Sequence, residues 1–176
     1  PTDGLFAWFK WQGWSSSAQE WADSSGRGHV GRVGAYGVVR TVTEAADHEG
    51  GHGADATLGY IAGDPKVIFS FGRVVPVQFT ICSVTRYTGS ARGRILDAAG
   101  ANWLHGHHGG KAGVAFYEGW KTATRDHVGA DTDWVVMCGT NGGSQLKLVN
   151  GVSVGTANGG TGSATLWING GNYNEK

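Results

Sequence analysis

The chain has 176 residues, and its 14 Lys and Arg balance 14 Asp and Glu, so no net field attracts nucleic acid or an anionic membrane. Only 16% of residues are charged while 40% are hydrophobic, which excludes a disordered chain. The 32 glycines show no every-third pattern, which excludes collagen, and the longest apolar runs fall far short of the ~18 residues of a membrane helix.

In chain order, the pattern predicts strands over 4–9, 37–43, 57–62, 66–72, 76–87, 92–98, 101–105, 112–118, 133–139, 144–149, 152–156 and 163–168, with long irregular stretches at 10–36, 44–56 and 119–131. The best helical text, from Ser15 to Trp21, is one or two turns. The clearest alternation sets Val75, Val77, Phe79 and Ile81 against Pro76, Gln78, Thr80 and Cys82. Pro76 lacks an N–H and belongs at that strand's start or on an edge. Asn-Gly recurs at 141–142, 150–151, 158–159 and 169–170. It supplies the positive φ values of two-residue hairpin turns, and a turn at 150–151 would pair Val149 with Val152. Short strands with regular turns imply two antiparallel sheets packed face to face, in a single domain. No secretory segment is visible, and a first residue of Pro rather than Met reads as a mature or excised segment.

Cys82 and Cys138 both lie in strand-like text. Two readings stand side by side: a bridge between neighbouring strands in an oxidising compartment, or two buried thiols acting as small hydrophobes.

Gly4 to Phe9, followed by Trp21-Ala22-Asp23-Ser24-Ser25-Gly26-Arg27-Gly28, resembles the opening of LamG-like domains of the concanavalin A-like lectin/glucanase superfamily. Those often begin with a "GLVAWY"-like strand and a later "W-x-D-x-SG-x-G" turn. The segments 79–89, 92–96, 102–107, 117–122 and 134–156 are similar to LamG-like proteins of dinoflagellates and other algal protists. The resemblance implies an all-β, two-sheet antiparallel jelly-roll sandwich. It also implies a non-catalytic binding module that recognises carbohydrate or glycoprotein, outside the cell, at its surface or in an organelle lumen. Such domains usually close with one more strand beside the first. After the segment matching 168–176 this sequence departs from that pattern: either the last strand is not included, or the sandwich has an open edge that a partner strand could join. The alternative, of a different class, is a structural accessory subunit docked on a larger assembly, such as a membrane or photosynthetic complex in an algal organelle.

Several constellations bear on chemistry. His48-Glu49-Gly50-Gly51-His52 matches the H-E-x-x-H zinc pattern, but two central glycines disfavour the helix that would align both imidazoles. His105-Gly106-His107-His108 would place His105 and His107 on one strand face, without an evident third metal ligand. Some LamG-like domains bind Ca²⁺ through rim loops. Asp126, Asp131 and Asp133 lie in such a loop but lack recognisable ligand spacing, so the expectation is no cofactor. The E-x-D-x-x-E-like strand of the related glucanases has no counterpart, and Glu118 beside Tyr117 and Trp120 is a lone acid, which argues against an enzyme. What remains is an aromatic and imidazole set near polar loops. Trp103, His105, His107, Tyr117 and Trp120 are the expected ligand-binding residues, for a glycan or a protein partner. Trp8, Trp134 and Trp167 read as core.

Overall fold

The computed structural model describes residues 4–35, 37–44, 52–123, 129–130, 132–162 and 164–170. Fourteen strands and no helix are present among them: β1 (Phe9–Ser15), β2 (Glu20–Asp23), β3 (Val30–Ala35), β4 (Val39–Glu44), β5 (Leu58–Gly63), β6 (Ile68–Ser70), β7 (Thr80–Thr85), β8 (Leu96–Ala99), β9 (Trp103–His108), β10 (Lys111–Tyr117), β11 (Val135–Thr140), β12 (Lys147–Val149), β13 (Val152–Ser153) and β14 (Thr165–Ile168). An eight-stranded sheet runs β1-β2-β3-β6-β14-β8-β9-β10, a four-stranded sheet runs β13-β12-β11-β7, and β4 and β5 form a separate pair. The pairings are antiparallel. Phe69, Leu96, Trp103, Ala115, Tyr117 and Leu166 of the larger sheet share one buried core with Val135, Met137 and Val149 of the four-stranded sheet. That layering is consistent with a β-sandwich.

The region expected to be irregular, 10–36, holds β1, β2 and β3. Glycines interrupt its apolar alternation, but they serve packing. At Gly31 an added Cβ would stand 2.5 Å from the Phe71 ring, so that ring occupies the side-chain space itself. Trp14 and Trp21 are cross-strand partners, and each meets Phe69 edge-on. The one or two helical turns expected at 15–21 are instead the end of β1, a turn at 16–19 and the start of β2. Trp8 lies before β1 and is 43% exposed, with the Lys10 ammonium 4.6 Å from its ring centroid. It is not core.

Asp23 explains the turn that follows β2. Its Oδ1 accepts from the backbone N–H groups of Trp8 and Ser25, and Oδ2 accepts from the Ser25 hydroxyl. Partial burial works against its charged form. The hydrogen bonds to Ser25, Trp8 and His29 outweigh that and hold the carboxyl below its ordinary value.

The hairpin expected at 150–151 forms in the expected register, with Val149 opposite Val152. Asn150 at φ 48° and Gly151 at φ 82° supply the left-handed pair that such a turn requires. Asn141 behaves differently, although it also precedes Gly. It is buried, its Oδ1 accepts from the Phe79 N–H at 2.8 Å, and its Nδ2 donates to the carbonyls of Val77 at 2.7 Å and Gly160 at 3.0 Å. It ties three chain segments together, where the dipeptide signal suggested a turn. The strand expected over 76–87 narrows to Thr80–Thr85, and Pro76 precedes it.

Cys82 and Cys138 face each other on β7 and β11 and are bridged, with Cα atoms 4.1 Å apart. The bridge, rather than the pair of buried thiols, describes this sheet. Cys82 points to the exposed outer face.

Candidate functional site

The five residues expected to form a ligand-binding face do not form one surface. Trp103 and His105 lie on β9, and Tyr117 pairs with Trp103 across the β9–β10 ladder. Trp103, His105, His107 and Tyr117 are fully buried between the sheets. The rings of Trp103, His105 and Tyr117 lie within 23° of parallel. Trp120 is half-buried on the other side of β10, against Phe116 and His108. The sequence correctly set His105 and His107 apart from His108, but that shared face turns inward. An aromatic strand with alternate imidazoles reads alike whether its face meets solvent or a second sheet.

His105 is matched at both ring nitrogens, whereas Trp103 Nε1 and His107 Nε2 find no hydrogen-bond partner among the described residues. His105 Nε2 lies 3.2 Å from the Met137 carbonyl and Nδ1 lies 2.8 Å from the Tyr117 hydroxyl. A carbonyl only accepts, so Nε2 carries the proton and Nδ1 accepts from the phenol. Burial lowers the His105 pKa to about 4, and the Met137 carbonyl opposes this only in part. His107 is also lowered to about 4, first by burial and then by the nearby His105 and Arg92. Burial raises the Tyr117 phenol. These groups are neutral at ordinary pH, as a core requires.

No group of three or more His, Cys, Asp or Glu able to hold an ion occurs among the described residues. His48 to Gly51, Asp126 and Asp131 lie outside the described residues, so those expectations are not addressed by the structure. His52 takes φ 53°, and its Nε2 is 3.9 Å from Glu44 Oε1.

The site that the fold does build lies elsewhere. A groove of about 650 Å³ opens between the β4–β5 hairpin and the segment leaving β7. Its walls carry Arg40, Tyr60, Arg86, Tyr87, Thr88 and Arg92. Arg86 is the keystone, with only 9% of its side chain exposed. Its Nη2 reaches Glu44 Oε2 at 3.2 Å and the Tyr60 hydroxyl at 3.4 Å, and Nη1 donates to the Tyr87 carbonyl at 3.3 Å. Its guanidinium also lies over the Trp134 and Tyr60 rings, 5.3 and 5.6 Å from their centroids. Nε has no hydrogen-bond partner among the described residues. Arg92 lies over the Tyr87 ring at 5.1 Å, and the Tyr87 hydroxyl donates to the carbonyls of Arg92 and Gly93. Three guanidinium groups against the single Glu44 carboxylate make the groove cationic among the described residues, in a chain with no net charge.

Sequence reasoning missed this groove. Tyr60 reads as an ordinary strand residue, and Arg86 and Arg92 flank a loop with no spacing signature. Their meeting depends on how the β4–β5 hairpin lies near the end of β7, which no local pattern encodes. No family model, curated protein or solved structure matches this chain.

Proposed function

We propose that the chain is a non-catalytic binding module that takes a carbohydrate or the sugar of a glycoprotein in the groove beside Arg86. The observation that supports this is the pairing of guanidinium groups with aromatic rings around one open cleft. Tyrosine rings offer flat apolar surfaces to sugar faces, and the arginines donate in fixed directions to hydroxyl or acidic groups. Glu44 is occupied by Arg86, which fits binding better than acid–base work. The jelly-roll architecture of LamG-like domains belongs to the same proposal, supported by the layered antiparallel sheets. A panel of immobilised neutral and acidic oligosaccharides tests it. Binding is expected from the intact chain and should weaken at least tenfold in Arg40→Ala, an exposed groove residue. Absence of binding across the panel contradicts it.

One observation favours a second reading, a structural accessory subunit docked on a larger protein assembly. Val84, Val136 and Leu146 are 58%, 48% and 49% exposed on the outer face of the four-stranded sheet. Apolar groups gathered on one face suit protein contact. Covalent labelling of that face in the native complex, compared with the isolated chain, separates the two readings.

A further inference from the structure

The ends of the two larger sheets are treated unequally. The edge strand β13 is two residues long. β10 is covered by the returning chain, since Lys121 N–H donates to the Ala115 carbonyl, Ala115 N–H donates to Thr122 Oγ1, and Phe116 bridges Trp120. β1 is broken by a register shift between Phe9 and Trp14, and carries Lys10. Short length, cover, bulges and lysine are the usual protections of a sheet edge. Among the described residues, β7 has none of them. It pairs with β11 over six consecutive residues without a shift, and no charged residue occurs from Val74 to Thr85.

The direction of its free hydrogen bonds follows from the disulfide position. Cα atoms of Cys82 and Cys138 at 4.1 Å mark the close, non-hydrogen-bonded kind of antiparallel pair. The N–H and C=O groups of Cys82, and by alternation those of Thr80 and Val84, therefore point away from β11. None of them makes a backbone hydrogen bond to another described segment. The side chains of all three are exposed.

We infer that β7 pairs with β7 of a second copy of this chain, antiparallel about a two-fold axis at Cys82. This register sets Cys82 opposite its own copy and Thr80 opposite Val84. Each facing pair exchanges two hydrogen bonds, so every outward group is used. A self-complementary strand is what a two-fold interface requires, and zero net charge offers no repulsion between copies. The intrachain bridge to Cys138 fixes the strand before association, so little ordering remains to be done.

Sedimentation velocity and amide hydrogen exchange test this on the intact, oxidised chain. The expected result is a dimer at high concentration, with exchange at Thr80, Cys82 and Val84 slowing as concentration rises while Ile81 and Ser83 stay protected throughout. Val84→Pro removes one outward N–H and leaves the ladder to β11 intact, as edge strands tolerate. It should remain folded and monomeric. A chain that stays monomeric at every concentration overturns the inference. So does a dimer in which those three amides exchange freely, or self-association unchanged in a folded Val84→Pro variant. Pairing only with a different polypeptide overturns it as well. Should Val84→Pro not fold, the exchange pattern of the unaltered chain decides alone.

Discussion

The Tyr117 hydroxyl stands 2.8 Å from Nδ1 of His105, and both side chains are sealed inside the sandwich. The Met137 carbonyl on the facing sheet holds the other ring nitrogen. One imidazole thus links two strands of one layer to a strand of the other. Tyr117→Phe leaves the His105 acceptor buried without a donor. The expected loss is about 1–3 kcal/mol of unfolding free energy, measured by urea denaturation. A loss within a few tenths of zero would show that the phenol adds nothing beyond its ring.

The two buried imidazoles set the acid sensitivity. In the unfolded chain each protonates near its ordinary value of 6.5, while in the folded chain each stays neutral down to about 4. Proton uptake in this interval therefore favours the unfolded state. Stability is complete above pH 6.5, falls as pH drops toward 4, and loses on the order of 3 kcal/mol per imidazole across that range. Asp23 adds a later loss, because a lowered carboxyl pKa stabilises above 3.8 and ceases to do so as pH falls through its folded value. Urea unfolding between pH 8 and pH 4 measures this, and a flat profile over that range would contradict the burial of His105 and His107.

Truncating the buried Asn141 is expected to be costly. Asn141→Ala strands the Phe79 N–H and frees the Val77 and Gly160 carbonyls. The expected cost is on the order of 3 kcal/mol, since buried groups left unmatched cost about 1–3 each. Asn141→Asp keeps one acceptor but turns an anionic oxygen toward the Val77 and Gly160 carbonyls, so it should not rescue the alanine variant. Thermal melts of both variants read this directly.

Reduction of Cys82–Cys138 opens a loop spanning 56 positions, for which chain entropy gives a loss of about 4 kcal/mol. Cys82 is exposed, so a small dithiol reductant should reach it without global unfolding. Melting with and without that reductant, with thiol counting, checks both statements. Thiols that appear only after unfolding would contradict the exposure.

Strand identity was readable where side chains alternate or turn chemistry is local. Val149 and Val152 found each other through Asn150-Gly151, and β9, β10 and β11 lie close to their expected positions. β1 to β3 were hidden because Gly31 gives its side-chain space to Phe71, a contact 40 positions distant in sequence. The site was less readable. Trp103, His105, His107 and Tyr117 have the chemistry of a binding face, yet their exposure depends on a second sheet whose approach no short pattern specifies. Arg86 draws its environment from Glu44, Tyr60 and Trp134, three separate segments, so its groove exists only in the folded chain.

The groove is tested most directly by amide and side-chain chemical-shift mapping as acidic and neutral oligosaccharides are added to the isotope-labelled chain. Shifts should concentrate on Arg40, Tyr60, Arg86, Thr88 and Arg92 and leave Trp103, His105 and Tyr117 nearly still. Shifts confined to the opposite side of the molecule, or none at saturating sugar, would contradict a binding role for this cleft.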